Sequence, residues 1–126
     1  MIINGNLNLS ESTIESLGQL KEVNGNVYLE GCIKLKSLEN LKKVTGNLIV
    51  NCSYYLETLG NLETVNGHLD LRACGNLKSL GKLKEIGGRI FLSWCNLSEN
   101  YIHKNHRKLL FKCNWKYTDS AENFKI

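Results

Sequence analysis

Five cysteines and three histidines are the residues of this chain best suited to metal or redox chemistry. Cys32, Cys74 and Cys95 each stand seven residues after a glycine, Cys52 stands six after one, and Cys113 falls outside this pattern. Such regularity suggests a thiol array. No CxxC pair is present, however, and neighbouring cysteines lie about 20 residues apart, so neither a zinc site nor a disulfide framework is indicated. An inner column of small, weakly polar side chains fits the placement better. His103 and His106, three apart, supply half a metal site with no third ligand at a recognisable spacing, and read instead as part of a solvated basic face. The glycines are not followed by the Gly-Lys-Ser/Thr of a phosphate loop. The acids are scattered, so neither a carboxylate pair nor a Ser-His-Asp set is formed. The expectation is a non-enzymatic protein that takes no cofactor, no metal and no small-molecule substrate.

The elements that must position these residues come from a repeat. Gly5, Gly25, Gly46, Gly67 and Gly88 are spaced 20, 21, 21 and 21 residues apart. Each opens the same pattern, as in "VNGNVYLEGCIKLKSLENLKK" and "VNGHLDLRACGNLKSLGKLKE". Apolar residues follow each glycine at two and four positions: Leu7 and Leu9, Val27 and Leu29, Leu48 and Val50, Leu69 and Leu71, Ile90 and Leu92. That period of two predicts a short strand with these residues inward. The spacing then becomes three, as in Leu35, Leu38, Leu41 and Val44, which is not the alternation of a hairpin partner. The Asn24-Gly25 pair therefore reads as a corner, with the glycine supplying a positive φ, and not as a hairpin turn. A fixed period near 21 predicts stacked coils.

The "GNLxL" strand followed by "LxSLxxLxxV" resembles leucine-rich repeats, specifically the receptor L-domain type, over residues 3–97. The resemblance implies an α/β solenoid of five stacked right-handed coils whose strands form a parallel β-sheet. The expected organisation is a single domain, 1–126, with a repeat at 3–97 and a helical cap and tail at 98–126. Within "SENYIHKNHRKLLFKC", Ser98 is the expected N-cap, and Ile102, Leu109 and Cys113 share one face of a helix over 98–113. Trp115, Tyr117 and Phe124 of the tail are expected to pack back.

Strand alternation turns other residues outward. The middle outward column reads Tyr28, Ile49, Asp70 and Phe91, spanning about 14 Å at the usual strand spacing. With His68, Arg72 and Arg89 beside it and Tyr54 and Tyr55 at a coil corner, this face suits contact with another protein. Aromatic and arginine side chains most often anchor interfaces, which points to Tyr28, Ile49, Phe91 and Arg72.

Net charge is +4, and the surplus is local: Lys104, Arg107, Lys108, Lys112 and Lys116 fall in a segment without acids. This offers a possible nucleic-acid surface, with Trp115 and Tyr117 available for stacking. No stretch approaches the roughly 20 apolar residues of a membrane span, and "MIINGNLNLS" lacks a basic leader, so a cytoplasmic protein is expected. Lysine outnumbers arginine 13 to 3 and asparagine reaches 16, a bias compatible with AT-rich coding in bacteria and their phages. An inhibitor acting by occupying a larger protein fits these features, by analogy a phage-borne inhibitor of a bacterial defence nuclease such as an anti-CRISPR protein, acting in the host cytoplasm. The alternatives are a nucleic-acid-contacting protein and an intracellular leucine-rich-repeat adaptor; the partner is a protein, a nuclease or a ribonucleoprotein.

Overall fold

The computed structural model describes residues 1–115. Two ladders of short parallel strands flank the glycine corners. Ahead of the corners run β1 (Ile2–Asn4), β3 (Glu22–Asn24), β5 (Lys43–Val44), β7 (Thr64–Val65) and β9 (Glu85–Ile86), joined in that order. After the corners run β2 (Leu7–Asn8), β4 (Val27–Tyr28), β6 (Leu48–Ile49), β8 (Leu69–Asp70) and β10 (Ile90–Phe91), and β11 (Cys113–Asn114) joins this second sheet beside β10. Up to β9 and β10 each step along a ladder advances 20 or 21 residues, as Leu7 pairs with Val27, Val27 with Leu48 and Leu48 with Leu69. The result is a solenoid-like repeat. A single sheet was expected, and the second one replaces the final step of the threefold leucine spacing. Its strands are only two or three residues long, too short to show an alternation in sequence, and they pair between repeats and never across the corner.

The core lies between the ladders. Val27, Leu29, Leu35, Leu38, Leu41 and Val44 are buried, as are their equivalents in the next repeat, Leu48, Val50, Leu56, Leu59, Leu62 and Val65. In the first repeat Leu7, Leu9, Ile14 and Leu17 pack on only one side and are half-buried. Burial of a leucine contributes about 1.5–3 kcal/mol, and each one here depends on a neighbouring repeat to supply its cover.

Gly25, Gly46, Gly67 and Gly88 are needed for space and not for backbone freedom, whereas Gly5, with open space around it, is needed for its φ. Of the five, only Gly5 has a positive φ, of 121°. A Cβ on Gly46 would strike Asn26 Oδ1 and come within 2.7 Å of the Gly25 carbonyl oxygen. That oxygen instead accepts the Gly46 N–H at 2.9 Å. Left-handed backbone occurs six residues after the corner, at Glu11, Gly31, Cys52, Ala73 and Trp94.

The expected helix over 98–113 is broken. Ser98 Oγ caps it by accepting the Tyr101 N–H at 3.0 Å, but α1 spans only Glu99–Asn105. His106 takes φ −140°, a short 3-10 helix follows over Arg107–Lys112, and Cys113 enters β11. The break has a local cause, because the His106 ring is drawn to the repeat, with Nδ1 3.2 Å from the Leu83 carbonyl oxygen and Nε2 3.2 Å from the Tyr101 hydroxyl. That hydroxyl accepts the Leu80 N–H at 3.0 Å, and Leu97, Ile102 and Leu109 join the core. Trp115 packs against the same core, while Tyr117 and Phe124 lie outside the described residues.

Substitution Leu59→Ala is expected to destabilise the protein by about 2–5 kcal/mol, and Gly46→Ala by at least about 1 kcal/mol, both read from the midpoint of urea unfolding. Burial holds the His106 pKa below its usual value, outweighing the opposite effect of the Leu83 carbonyl. The unfolded chain therefore protonates first, so this contribution to stability is intact above the ordinary histidine pKa of about 6.5 and declines as pH falls through it. The unfolding midpoint is expected to fall between pH 7 and pH 5, and to fall less in His106→Gln.

Candidate functional site: the outer face of the second sheet

Alternation on β4, β6, β8 and β10 brings Tyr28, Ile49, Asp70 and Phe91 into register on the outer face, as Tyr28 pairs with Ile49, Ile49 with Asp70 and Asp70 with Phe91. Tyr28, Ile49 and Phe91 are half-exposed. Asp70 is not available for contact, because its side chain is only 6% exposed beneath Arg72. The pair is bidentate: Arg72 donates from Nε to Asp70 Oδ1 at 2.9 Å and from Nη2 to Oδ2 at 2.6 Å, and its backbone N–H adds a bond of 3.1 Å to Oδ1. The hydrogen bond to Asp70 raises the Arg72 pKa further, which keeps the guanidinium charged.

Phe91 is the centre of this group. The Arg72 guanidinium carbon lies 5.7 Å from its ring centroid, and the His68 ring meets it edge-on at 5.8 Å and 61°. A cation over one part of the ring and an aromatic edge against another fix its orientation. Asp70 thus acts on the face through Arg72, by holding the guanidinium where Phe91 needs it.

The column directly after the corner glycines has a structural task that was not evident in the sequence. Asn6 Oδ1 accepts the Asn26 N–H, Asn26 Oδ1 accepts the Asn47 N–H, and Asn47 Oδ1 accepts the His68 N–H, each at 2.8 Å. His68 continues the series, its Nδ1 accepting the Arg89 N–H at 3.0 Å. Arg89 itself is exposed. The signal was present as "GN" recurring at the period of the repeat, but an asparagine on an outward strand position looks the same whether it faces a partner or its own neighbour.

Beyond the second sheet, Tyr54 and Tyr55 are 50% and 55% exposed on the turn that follows β6. The Cys52 thiol beside it pushes the Tyr54 phenol above its usual pKa. Two large exposed side chains near these turns, Ile33 at 48% and Trp94 at 52%, were missed by the strand pattern because they belong to corners. Trp94 has a φ of 60°, a conformation that bulky residues seldom adopt. Aligning the left-handed column would have shown it.

The basic segment is divided. Lys104, Arg107 and Lys108 are exposed, whereas Lys112 donates from Nζ to the Ile86 carbonyl oxygen at 2.8 Å and tethers the 3-10 helix to β9. Lys116 lies outside the described residues. His103 is exposed and His106 is half-buried, so the two do not share a face.

The inner cysteine column is present at Cys32 and Cys74, and Cys52 departs from it. Seven residues after the corner stand Ser12, Cys32, Ser53, Cys74 and Cys95, and Ser53 occupies the place expected for Cys52. Cys32 and Cys74 are buried and donate their thiols to the carbonyls of Leu9 and Val50 at 3.2 and 3.3 Å, as the Ser53 hydroxyl does to Leu29 at 2.8 Å. Burial pushes the Cys74 thiol up to about 12 and Cys113 up to about 11. Cys52, one residue earlier, sits at the half-exposed left-handed corner.

Among the described residues no helix is long and apolar enough to cross a membrane. No family model, no curated protein and no solved structure matches the chain.

Titration of the native protein with a thiol reagent near pH 8 is expected to modify Cys52 first and to leave Cys32 and Cys74 unreacted until the protein is unfolded. Rapid modification of Cys74 in the folded protein would contradict the buried column.

Proposed function

We propose that the protein is a non-enzymatic binding module that presents the outer face of its second sheet to another protein. The observation that carries this is the row of half-exposed Tyr28, Ile49 and Phe91, set on rigid strands and continued by exposed Tyr54, Tyr55 and Trp94 at the neighbouring turns. A face of aromatic and aliphatic side chains among asparagine and arginine has the composition of an interface core, and its preformed backbone limits the ordering cost of association. In this reading the chain is a leucine-rich-repeat-like solenoid of five right-handed coils, and residues 98–113 close its last coil. The expected location is the cytoplasm.

The specific partner we infer is a bacterial defence nuclease or its ribonucleoprotein, inhibited by occupation in the manner of an anti-CRISPR protein. Support comes from the lysine- and asparagine-rich composition and the lack of any catalytic set that spacing would reveal. A second possibility is nucleic-acid contact through Lys104, Arg107 and Lys108, which are exposed on consecutive turns.

Capture from a host lysate with the wild-type protein, followed by mass spectrometry, identifies the partner. Combining Tyr28→Ala with Phe91→Ala is then expected to weaken that complex at least about a hundredfold, while Lys104→Glu, Arg107→Glu and Lys108→Glu together leave it unchanged. The opposite outcome, loss with the charge reversals and retention with the aromatic truncations, would transfer the function to the basic segment.

A further inference from the structure

The repeat departs from its own pattern at one place. Where earlier repeats carry Asn4, Asn24, Thr45 and Asn66 before the corner glycine, the last carries Gly87; where they carry Asn6, Asn26 and Asn47 after it, the last two carry His68 and Arg89. These departures converge on a cleft of about 380 Å³ lined by His68, Gly87, Gly88, Arg89, Phe111 and Lys112. That volume lies within the range of small-ligand sites, about 300–1,000 Å³.

The lining is cationic and has no carboxylate. Because the Arg89 N–H occupies His68 Nδ1, the ring proton of the neutral imidazole sits on Nε2 and is available as a donor. Arg89 contributes an exposed guanidinium. Lys112 is anchored by the bond from Nζ to the Ile86 carbonyl, which fixes the ammonium at the cleft while leaving it two further protons to donate. The floor is bare backbone: a Cβ on Gly87 would strike the Asn66 carbonyl, and one on Gly88 the His68 ring. Beside these donors stands Phe111, 76% exposed, a ring whose burial the core does not require.

We propose that this cleft binds one nucleotide unit, its phosphate held by Arg89, Lys112 and His68 and its base stacked on Phe111. Two donors held in place, His68 and Lys112, together with the exposed guanidinium of Arg89 suit a phosphate, which accepts through several oxygens, and an exposed ring beside a cationic site is the arrangement by which proteins hold nucleotides without reading their sequence. The unit is either a free nucleotide or part of a single strand. The cleft lies apart from Tyr28 and Tyr54 but adjoins Phe91, which the His68 ring meets edge-on, and nucleotide binding is read independently of the protein-binding proposal.

Calorimetric titration of the full chain with AMP, with a 5′-phosphorylated hexathymidylate and with inorganic phosphate, at low salt, tests the assignment. AMP, the hexamer or both should bind, each more tightly than inorganic phosphate; Arg89→Glu should weaken nucleotide binding at least about tenfold and Phe111→Ala roughly tenfold. Lys34→Ala, an exposed residue of the second repeat, should leave nucleotide binding unchanged. Binding of AMP identifies a free-nucleotide site, and binding of the hexamer alone identifies a strand site. The proposal is overturned if neither nucleotide binds, if inorganic phosphate binds as tightly as both, or if Arg89→Glu and Phe111→Ala leave affinity intact while circular dichroism shows them folded.

Discussion

Everything in this molecule depends on how closely the main chain of one repeat approaches the next at the glycine corner. The Gly46 N–H lies 2.9 Å from the Gly25 carbonyl oxygen, and the neighbouring asparagine side chain occupies the space in which a Cβ would lie. The close approach lets Asn6, Asn26 and Asn47 reach forward and satisfy a backbone donor in the following repeat. Those donors would otherwise be unpaired at a bend, where neither sheet supplies an acceptor. Register follows from this arrangement, because a slip by one residue would set a side chain against a carbonyl and leave the asparagine without its amide.

Once register is set, the two faces of the second sheet are determined together. The residues two and four after the glycine become the core, and those three after it become the outer row. The bidentate Asp70–Arg72 pair then acts on Phe91 across the strand boundary, converting a β-prone aromatic into one of defined orientation. A carboxylate on an outer strand position ordinarily reads as solvated. Here it is buried beneath the arginine that it holds through two side-chain bonds.

Periodicity made much of this legible. The spacing of glycines and leucines implied parallel strands in stacked order and identified the buried positions, because a repeat must bury the same side of every copy. Three things were hidden for identifiable reasons. The strands before the corners are too short to alternate. The helix after Ser98 was extended through His106 because helical periodicity does not register the pull of the Leu83 carbonyl on that ring. Trp94 and Ile33 were passed over because a corner residue has neither the period of a strand nor that of a helix, although a left-handed column at Glu11, Gly31, Cys52, Ala73 and Trp94 is regular once aligned. Of the candidate contact residues, Tyr28, Ile49 and Phe91 share one row, Tyr54 and Tyr55 extend it, and Asp70 lies beneath it.

The outer row also works as a ruler. Its graduations are set by the distance between hydrogen-bonded strands, about 4.8 Å, and cannot be stretched without breaking the ladders. A partner helix laid along the row offers side chains at a pitch of about 5.4 Å and drifts by only about 2 Å over three intervals. An extended partner chain, whose same-side residues recur every 6.6 Å or so, drifts by more than about 5 Å and loses step within two. The geometry therefore discriminates between incoming shapes before any side chain is compared, and it favours a rod of coiled backbone over a straightened one.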